Sequence, residues 1–586
     1  MEGKRKLIPY GVSSFETVRS GNYYYVDKTA YIRSLEDYNY ILFLRPRRFG
    51  KSLFVNMLKA YYDINYEDKF DSLFSDLAIG KDSTPLRSSY LVLSFNFSSV
   101  NSTPDKVQES FNTIALESIR YFISRYKDRL PEDTWEDVIG SGIDCSLALS
   151  RINAIAAQAG YKIYLTIDEY DNFANTLMSV DEDYYNKILH ADGFVRLFYN
   201  VLKETTTDNN AAIDRIFITG VSPLCLSDVT SGFNIALNIS TNPQYNGMVG
   251  FSEKETRTMV EYYLTGRTLQ SNTVDELMQC MKSYYDNYCF SKAAVERNEH
   301  MFNSDMVLFF LTNYLGNNCN IPDEMIDENN RSDPHKMASV LRSGGDEAER
   351  VEILQQILDD GYYYCDLKTQ FQVRELGNVR NLVSLLFYLG LMTYGRTPDD
   401  DIALVVANEA MRQQHSDYLS LCYAETLHWS TDINKMDRLW SQWIRAGEWK
   451  PFIEYVLSVM HDNDSIRDHG DEGEAFVKGF LLAHICHGNG YIVKTKAELG
   501  HGYSDIYMYP VGGYKRALVI ELKYLHRTAT NDAVKAKAEE ARVQIRKYIS
   551  DKRLLAEAEA RGWTLHAAIA VVRGWDATIV EEVENN

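Results

Sequence analysis

The chain alternates between short apolar runs rich in β-forming residues and longer stretches with helical spacing. Near the N-terminus, "YNYILFLRP" (38–46) is such a run, and "KSLFVNMLKAYYD" (51–63) then places apolar residues at helical intervals. This pattern predicts a buried strand, a loop and a helix. Further apolar runs at 90–100, 161–169 and 214–224 alternate with helical segments at 107–128 and 194–206. The alternation predicts a parallel sheet with helices on both faces.

The loop between the first strand and its helix ends like a phosphate-binding loop. Gly50, Lys51 and Ser52 match the end of the P-loop pattern G-x-x-x-x-G-K-[ST]. The first Gly of that pattern is replaced by Arg45, and Pro46 has no N–H to offer a phosphate. The predicted helix N-terminus still supplies free N–H groups and a positive dipole end. We therefore predict that Lys51 reaches the β- and γ-phosphates of ATP and that Ser52 holds Mg²⁺.

Two later strands end in polar side chains suited to the same site. Asp168 closes the run "YKIYLTID", where it can hold the water shell of the Mg²⁺, and the adjacent Glu169 can orient and deprotonate a water. The run "DRIFITGVSPL" is expected to lie beside the P-loop strand, which makes Thr219 and Ser222 candidates at the γ-phosphate. An acidic strand end without function is the alternative for Asp168 and Glu169 taken alone.

Several separated segments together resemble one family. "YYYVDKTAYI", "LRPRRFGKSLF", "IYLTIDEYDN", "FITGVSPL", "GFNIALNIS" and "MVGFSEKE" occur in the order seen in the AAA-ATPase-like family of bacteria and some fungi. That family's P-loop carries the signature R-P-R-R-F-G-K-[ST], so Arg45 agrees with the family. The resemblance covers about the first 310 residues, with a lid region after the core. It implies that Arg47 and Arg48 sit over the nucleotide, where a buried arginine could replace the missing Gly contacts or act as a charge stabiliser in cis.

A second pattern lies near the C-terminus, in "GYSDIYMYPVGGYKRALVIELKYLH" (502–526). Two alternating runs around "PVGG" predict a β-hairpin. On its second strand, Glu521 and Lys523 share one face, while the other face is wholly apolar and belongs in the core. Asp505 lies on the partner strand. We predict that Asp505 and Glu521 bind Mg²⁺ and that Lys523 positions or activates a water; a half-exposed salt bridge between Glu521 and Lys523 is the alternative.

The helix predicted after the hairpin extends this pattern. It is expected to begin with Asn531 or Asp532 as N-cap, and Gln544 and Tyr548 share one of its faces. The sequence "GxxD … ExK … QxxxY" resembles the PD-(D/E)XK nucleases, particularly those of exonuclease V-type recombination enzymes. The resemblance covers about residues 470 to 575. It implies a catalytic set of Asp505, Glu521, Lys523 and Gln544, with Glu474 at the first acidic position of the superfamily.

Composition narrows the setting. The chain of 586 residues carries a net charge of −21 and is 45% apolar, which is typical of a globular protein. No apolar run is long enough for a membrane span, no secretory signal is evident, and the eight cysteines form no C-x-x-C pair, so we expect the reducing cytoplasm. Lys and Arg are concentrated between 505 and 553, which favours a nucleic-acid site there, although a solvated helical face has the same pattern.

These observations predict an α/β fold with four parts. An AAA-like P-loop ATPase core spans 1–250, a helical lid 251–320, a mostly helical winged-helix-like connector 321–450, and a restriction-endonuclease-like α/β domain 451–586. The predicted function is ATP binding and hydrolysis coupled to a Mg²⁺-dependent nuclease acting on DNA. The alternative is an ATP-dependent conformational switch whose C-terminal domain only binds a nucleic acid or a protein. The sequence leaves the oligomeric state open.

Overall fold

The structure is a computed structural model of the chain. It describes residues 5–140, 142–189, 193–207, 211–229, 234–267, 272–322, 324–328, 347–426, 431–462, 473–486, 488, 490–499, 502–511 and 513–584. Within these ranges the chain forms a parallel sheet near its N-terminus and a mixed sheet near its C-terminus, with helices and short strands between them.

The N-terminal sheet has the architecture predicted for the P-loop core. Its strands are β1 (Tyr40–Leu44), β2 (Leu91–Asn96), β3 (Ile163–Asp168), β4 (Ile213–Gly220) and β5 (Leu237–Asn238). They are parallel and lie in the order β2-β3-β4-β1-β5, so β4 is the neighbour of the P-loop strand, as predicted. Because parallel strands end at one edge, the residues that follow β1, β3 and β4 converge there.

Helices cover this sheet and bury an almost continuous apolar core. The helix after the P-loop, Lys51–Tyr62, turns Met57, Leu58 and Tyr61 inward, as its spacing predicted. The remaining helices of this region are Phe15–Ser20, Tyr31–Leu35, Phe70–Phe74, Ala78–Lys81, Pro104–Arg125, Thr134–Ile139, Cys145–Gln158, Asn172–Val180, Glu182–Leu189, Phe194–Thr207 and Leu224–Val229, with 3₁₀ turns at Ile64–Lys69 and Pro243–Tyr245.

The middle of the chain is mainly helical. Its helices are Glu253–Leu264, Val274–Tyr285, Lys292–Glu296, Ser304–Gly316, Glu347–Asp360, Val379–Tyr388, Glu409–Thr426 and Ile433–Ala446, with a 3₁₀ turn at Val373–Glu375. Two short strands, β6 (Phe251–Ser252) and β7 (Met301–Phe302), pair with each other. Strands β8 (Tyr362–Tyr363), β9 (Met392–Arg396) and β10 (Ile402–Val406) form an antiparallel sheet in the order β8-β10-β9. The lid and connector boundaries stay predictions.

The C-terminal region is a sheet flanked by helices. Strands β11 (Tyr491–Leu499), β12 (Gly502–Pro510), β13 (Arg516–Leu525), β14 (Thr564–Arg573) and β15 (Asp576–Glu582) lie in chain order. The β12–β13 pair is antiparallel, which confirms the predicted hairpin, and β13–β14 is parallel. The helices here are Lys450–Asp462, Gly473–Ile485, Asn531–Ile549 and Lys552–Arg561. One face of β13, with Leu518, Ile520 and Leu522, joins the main core, as predicted.

The whole fold is therefore α/β, with a P-loop parallel sheet and a separate mixed sheet. Within the ranges that the structure describes, no helix is both long and apolar enough to cross a membrane.

Candidate functional sites

The P-loop makes a left-handed turn immediately before its helix. Gly50 has φ +91° and occupies the N-cap position of the helix that begins at Lys51. Arg48 also has a positive φ, +66°. Only glycine adopts the Gly50 conformation without a steric cost, so the Gly of the G-K-S sequence is required by the turn itself. The turn points the first N–H groups of the helix toward the edge of the sheet, where a phosphate can bind.

Lys51 folds back onto its own loop. Its Nζ donates to the main-chain carbonyls of Arg45 and Pro46, both at 3.0 Å, and the residue is only 4% exposed. The ammonium group is thus satisfied by carbonyl oxygens rather than by a carboxylate. No carboxylate among the described residues forms a salt bridge with this ammonium, so it can exchange these carbonyls for phosphate oxygens when a nucleotide binds.

Arg45 explains why the loop departs from the usual pattern. It is 1% exposed, donates to the carbonyls of Ser240 (2.6 Å) and Tyr245 (2.9 Å), and lies 3.8 Å from the ring centre of Phe290. Its guanidinium therefore fastens the loop to the core. Arg47 and Arg48, which the resemblance places over the nucleotide, are both exposed, so the buried arginine of this loop is Arg45. Arg45 therefore anchors the loop to the core, while Arg47 and Arg48 are exposed to solvent.

The two flanking strands bring polar groups to the same edge. Asp168 is 4% exposed and its Oδ1 has no hydrogen-bond partner among the described residues; Thr219 is fully buried and its Oγ1 also has none. Burial raises the pKa of Asp168 above its ordinary value, and the neighbouring Ser52 hydroxyl counteracts that rise. Buried polar atoms are normally paired, so these two oxygens mark positions where a ligand, ion or water fits.

Glu169 follows Asp168 in a strained conformation. Its φ of +55° is unusual for a residue other than glycine, and such strain is held only where neighbours enforce it. Here the next N–H, of Tyr170, donates to the carbonyl of Thr219 on β4 at 3.2 Å. The Glu169 side chain is half-buried at the end of β3, beside Asp168. This placement suits a group that must face a water at the γ-phosphate.

Asp171 is a residue of this site that the sequence reasoning missed. It is fully buried, and its carboxylate accepts from the N–H groups of Val221 (3.1 Å) and Ser222 (2.7 Å), which follow β4. Burial raises its pKa, and the bond from the Ser222 N–H opposes the rise. Asp171 therefore fixes the turn after β4 relative to β3. Its signal was present in the quoted "IDEYDN", three residues after Asp168.

The helix Ser304–Gly316 begins against the P-loop. The Asp305 N–H and the Ser304 hydroxyl both donate to the carbonyl of Arg48, each at 3.2 Å. On the other side, Gly390 approaches Pro46 so closely that an added Cβ would lie 2.6 Å from Pro46 Cβ. The loop is thus contacted both by the helix that follows β7 and by the turn before β9.

The hairpin β12–β13 carries the second candidate site. Ladder pairing links Ile506 with Ile520, and one residue further the Asp505 carboxylate itself accepts the N–H of Leu522 at 2.8 Å. Burial raises the pKa of Asp505, and the Leu522 N–H opposes that rise. The side chain thereby replaces a ladder bond and is held next to Glu521. The sequence-predicted pairing of Asp505 with the Glu521 face is what the structure shows.

Glu521 and Lys523 form a close ion pair. Lys523 Nζ lies 2.9 Å from Glu521 Oε1, and both side chains are largely buried. Burial and the Asp505 charge raise the pKa of Glu521 to about 7. Glu521 Oε2 has no hydrogen-bond partner among the described residues. The predicted alternative, a salt bridge on a half-exposed strand, does not describe this pair, since Glu521 is only 2% exposed.

Three further predicted residues lie on the two helices that contact β13, Gly473–Ile485 and Asn531–Ile549. Glu474 is exposed at the start of its helix, and its charge contributes to raising the pKa of Glu521. Gln544 Oε1 is buried without a partner among the described residues, and Tyr548, one turn later, is 5% exposed. The helix that carries Gln544 and Tyr548 begins one residue earlier than a cap at Asn531 implies and two residues earlier than a cap at Asp532 implies. The N-cap is Thr530, whose hydroxyl accepts the N–H of Ala533, so the expected Asn531 or Asp532 cap is wrong.

Lys478 and Asp359 join this site, and sequence reasoning missed both. Lys478 Nζ lies 2.7 Å from Asp359 Oδ1 and 3.9 Å from Asp505 Oδ1, and its side chain is 7% exposed. Asp359 is the second-last residue of the helix Glu347–Asp360, which we call the connector helix. Lys478 was detectable, because it lies one helical turn after Glu474. Asp359 was not, because nothing in its acidic surroundings distinguishes it.

The side chains at the two sites can be compared with what the resemblances imply, namely Mg²⁺ and a nucleotide. Among the described residues, no cluster of three or more His, Cys, Asp or Glu side chains is arranged to hold a metal. Mg²⁺, however, is commonly bound through one or two carboxylates, with waters and phosphate oxygens completing its shell. Asp505 and Glu521, with the orphaned Oε2, fit that mode. At the other site, Lys51, Ser52 and Asp168 fit a nucleotide with Mg²⁺.

Two family models match the two regions that carry the candidate sites. Residues 9–230 match the model of the AAA-ATPase-like family, described as predicted AAA-ATPases, and residues 472–582 match the PD-(D/E)XK nuclease superfamily. Both resemblances drawn from the sequence are thereby confirmed. The chain combines an AAA-ATPase-like region with a nuclease-superfamily region.

Individual relatives are more distant. An uncharacterised protein from the vnfD 5′ region of Azotobacter chroococcum mcd 1 is 26% identical over 303 residues, which is 50% of each chain. The chain thus spans about half the length of that relative. Among solved structures, the Aeropyrum pernix ORC2 protein in ADPNP–ADP complexes has a TM-score of 0.31 at 11% identity, covering 73% of this chain and 97% of its own. Cdc6p from Pyrobaculum aerophilum has a TM-score of 0.27 at 11% identity, covering 70% and 98%. Such low scores add nothing on function.

Proposed function

We propose that the protein is an ATP-hydrolysing, Mg²⁺-dependent nuclease that acts on DNA. The observation that carries the proposal is the Glu521 carboxylate. It is 2% exposed, paired with Lys523 through one oxygen and left without a partner at the other, next to Asp505. Burying a carboxylate costs free energy unless it is paired or holds a metal, and only one of the two Glu521 oxygens has a partner among the described residues. The intact set favours an active site over a domain that only binds.

Each residue of the C-terminal site then has a role. Asp505 and Glu521 hold the divalent ion, which when bound polarises the phosphodiester and lowers the pKa of water. Lys523 remains beside the reacting phosphate and orients the water. Gln544 offers a buried amide oxygen on the adjoining helix, and Glu474 adds negative charge at the rim.

The N-terminal site has a matching division of labour. Lys51 leaves its two carbonyls to contact the β- and γ-phosphates, while Ser52 and Asp168 hold Mg²⁺. Glu169 orients and deprotonates the attacking water, and Thr219 contributes its free hydroxyl at the γ-phosphate. Arg47 and Arg48 are exposed at this edge, where they can meet the nucleotide's charge.

We assign the binding of the nucleic acid to the C-terminal region. Lys535, Lys547, Lys552 and Arg553 are exposed on the two helices Asn531–Ile549 and Lys552–Arg561, the first of which also carries Gln544. Exposed cations of this kind contact backbone phosphates without reading sequence. On a chain of net charge −21, a local basic surface is the part that a nucleic acid can approach.

The decisive experiment is a cleavage assay of the full chain. Single- and double-stranded DNA and RNA are incubated with Mg²⁺ or Mn²⁺, with and without ATP. We expect metal-dependent cleavage of DNA that ATP alters. Metal-dependent cleavage of RNA alone would refute DNA as the substrate, and no cleavage under any condition would favour the predicted alternative, a switch whose C-terminal domain only binds.

ATP turnover is tested separately with Glu169→Gln. The variant keeps the shape of the side chain but cannot accept a proton, so ATP should stay bound while the rate of phosphate release falls by roughly 10²-fold or more. Equal turnover in the variant and the wild type would remove Glu169 from this role. Absence of turnover in the wild type would favour the switch.

A further inference from the structure

A cleft lies beside the nucleotide site, between the P-loop helix Lys51–Tyr62 and the helix Pro104–Arg125. Its volume is about 550 Å³, within the range of small-molecule sites. The floor is β2, whose alternate residues Val92, Ser94 and Asn96 face into it. The two helices form the walls. None of the roles assigned to the nucleotide site uses this space.

The charged groups in the cleft are paired, with one exception. Glu16 is bound by Lys69 (2.7 Å), Asp63 by Arg125 (2.5 Å) and Glu117 by an arginine on its own helix. Lys59 lines the same cleft and forms neither a salt bridge nor a hydrogen bond through its ammonium group to any of the residues that the structure describes. Burial lowers the pKa of Lys59, although the Asp168 and Asp63 charges work against that change.

The cleft also offers an apolar body and neutral hydrogen-bonding groups. Tyr66 and Ile114 lie in its wall and are partly exposed, and Tyr121 in the same wall is 67% exposed. Ser94 and Asn96 are on its floor, and Asn96 Nδ2 reaches toward Asp168 Oδ2 at 3.5 Å. A ligand in the cleft would therefore touch a neighbour of the residue proposed to hold Mg²⁺.

We propose that this cleft binds a small aromatic carboxylate or phosphate, whose anionic group pairs with Lys59. The Lys59 ammonium forms no salt bridge with the described residues, and the three acids that line the cleft are each paired with another cation. Asp168, whose charge also acts on Lys59, does not line the cleft, so an anion bound in the cleft would supply a direct partner. The apolar wall accommodates the ring. The site is separate from the P-loop, so the proposal does not depend on ATP hydrolysis or on nuclease activity.

The experiment uses the full chain and ligand-observed NMR titration with benzoate, phenyl phosphate and the neutral benzyl alcohol. We expect both anions to bind the wild type more tightly than benzyl alcohol. Lys59→Met keeps most of the length of the side chain and removes its charge, so it should weaken benzoate binding roughly tenfold or more. Lys81→Met makes the same change on an exposed helix outside the cleft and should leave binding unchanged.

Two further variants separate the possible sources of a signal. Thr113→Trp places a large side chain in the cleft from the opposite helix and leaves residue 59 a lysine, so it should also abolish benzoate binding, and it decides the matter if Lys59→Met fails to fold. Lys51→Ala should not change benzoate binding. If benzoate binding is lost in Lys51→Ala, the anion site is the P-loop and the proposal is overturned. It is equally overturned if benzoate binds the wild type and Lys59→Met alike, or does not bind the wild type.

Discussion

The two candidate sites stabilise buried lysine ammonium groups with different partners. At the P-loop, the Lys51 ammonium rests on two main-chain carbonyls of its own loop. At the hairpin, the Lys523 ammonium rests on the Glu521 carboxylate, and Lys478 rests on Asp359. Carbonyl dipoles are weak partners that a phosphate displaces readily, whereas a full counter-charge must be balanced by another charge.

The difference extends to where the groups originate. The polar residues of the nucleotide site belong to one sheet and the loops at its edge. The C-terminal site takes Asp359 from the connector helix, outside the region that matches the nuclease superfamily. The turn before β9 contacts Pro46 through Gly390. The middle of the chain therefore contacts both sites, but through different elements: the turn before β9 at the P-loop and the connector helix at the C-terminal site. We therefore expect changes in the connector helix to affect the C-terminal site alone.

The largest expected effect is the loss of one metal ligand. Asp505→Asn keeps the shape of the side chain and can still accept the Leu522 N–H, but it removes a charge next to Glu521. We expect cleavage to fall roughly a thousandfold, because metal binding contributes several kcal/mol of transition-state stabilisation. ATP affinity, measured by titration of a fluorescent ATP analogue, should stay unchanged. A variant that cleaves at the wild-type rate would show that Asp505 is not a ligand.

The corresponding change at the P-loop should be smaller. Lys51→Ala removes the only lysine at the loop, and charge-assisted contacts contribute about 1.5–3 kcal/mol, so ATP affinity should fall roughly tenfold or more. Mn²⁺ binding at the C-terminal site should not change. Equal ATP affinity in the variant and the wild type would contradict the assignment, and isothermal titration calorimetry measures both.

The connector helix allows a matched pair of variants. Asp359→Asn leaves Lys478 uncompensated near Asp505, and the surplus positive charge should weaken Mn²⁺ binding about threefold to tenfold. Asp360→Asn makes the same charge change one residue away, at a carboxylate that pairs with Lys496; Lys496 also lies 3.5 Å from Asp359 Oδ2. The Asp360→Asn change should have little effect.

A charge-balanced double variant sharpens this test. Adding Lys478→Met to Asp359→Asn removes the surplus charge, so Mn²⁺ affinity should recover. If both aspartate variants weaken Mn²⁺ binding equally, the effect is one of overall charge and the C-terminal site does not depend on this pair. Electron paramagnetic resonance of free Mn²⁺ measures each affinity.

The smallest expected effect is a pH-dependent change in stability. In the metal-free protein the folded-state pKa of Glu521 is about 7, above its ordinary value of 4.5, so the folded state favours the protonated form. That contribution is complete at low pH and is lost as pH rises toward and past 7. Glu521→Gln cannot lose it. At pH 8 the variant should melt a few degrees higher than the wild type, and near pH 4.5 the two should agree. A constant difference across pH would contradict the raised pKa.

Much of both sites followed from local patterns. Alternating apolar strands and helices fix a parallel sheet, and parallel strands place Lys51, Asp168 and Thr219 at one edge. Period two on β13 separates Glu521 and Lys523 from the core-facing residues. The cap at Thr530 was missed because Thr, Asn and Asp are all good N-caps, and four such residues stand in "TATND". Which of these residues caps the helix depends on the path of the loop that connects β13 to the helix.

The sequence by itself determined the secondary-structure order and the residues that each strand end offers, because these depend on spacing along the chain. Only the tertiary structure decided that Arg45 lies in the core while Arg47 and Arg48 face solvent, since burial of an arginine depends on carbonyls and rings from Ser240, Tyr245 and Phe290. It also decided that Asp359 reaches Lys478. Contacts between segments far apart in sequence leave no local periodicity, because they are fixed by how the elements pack.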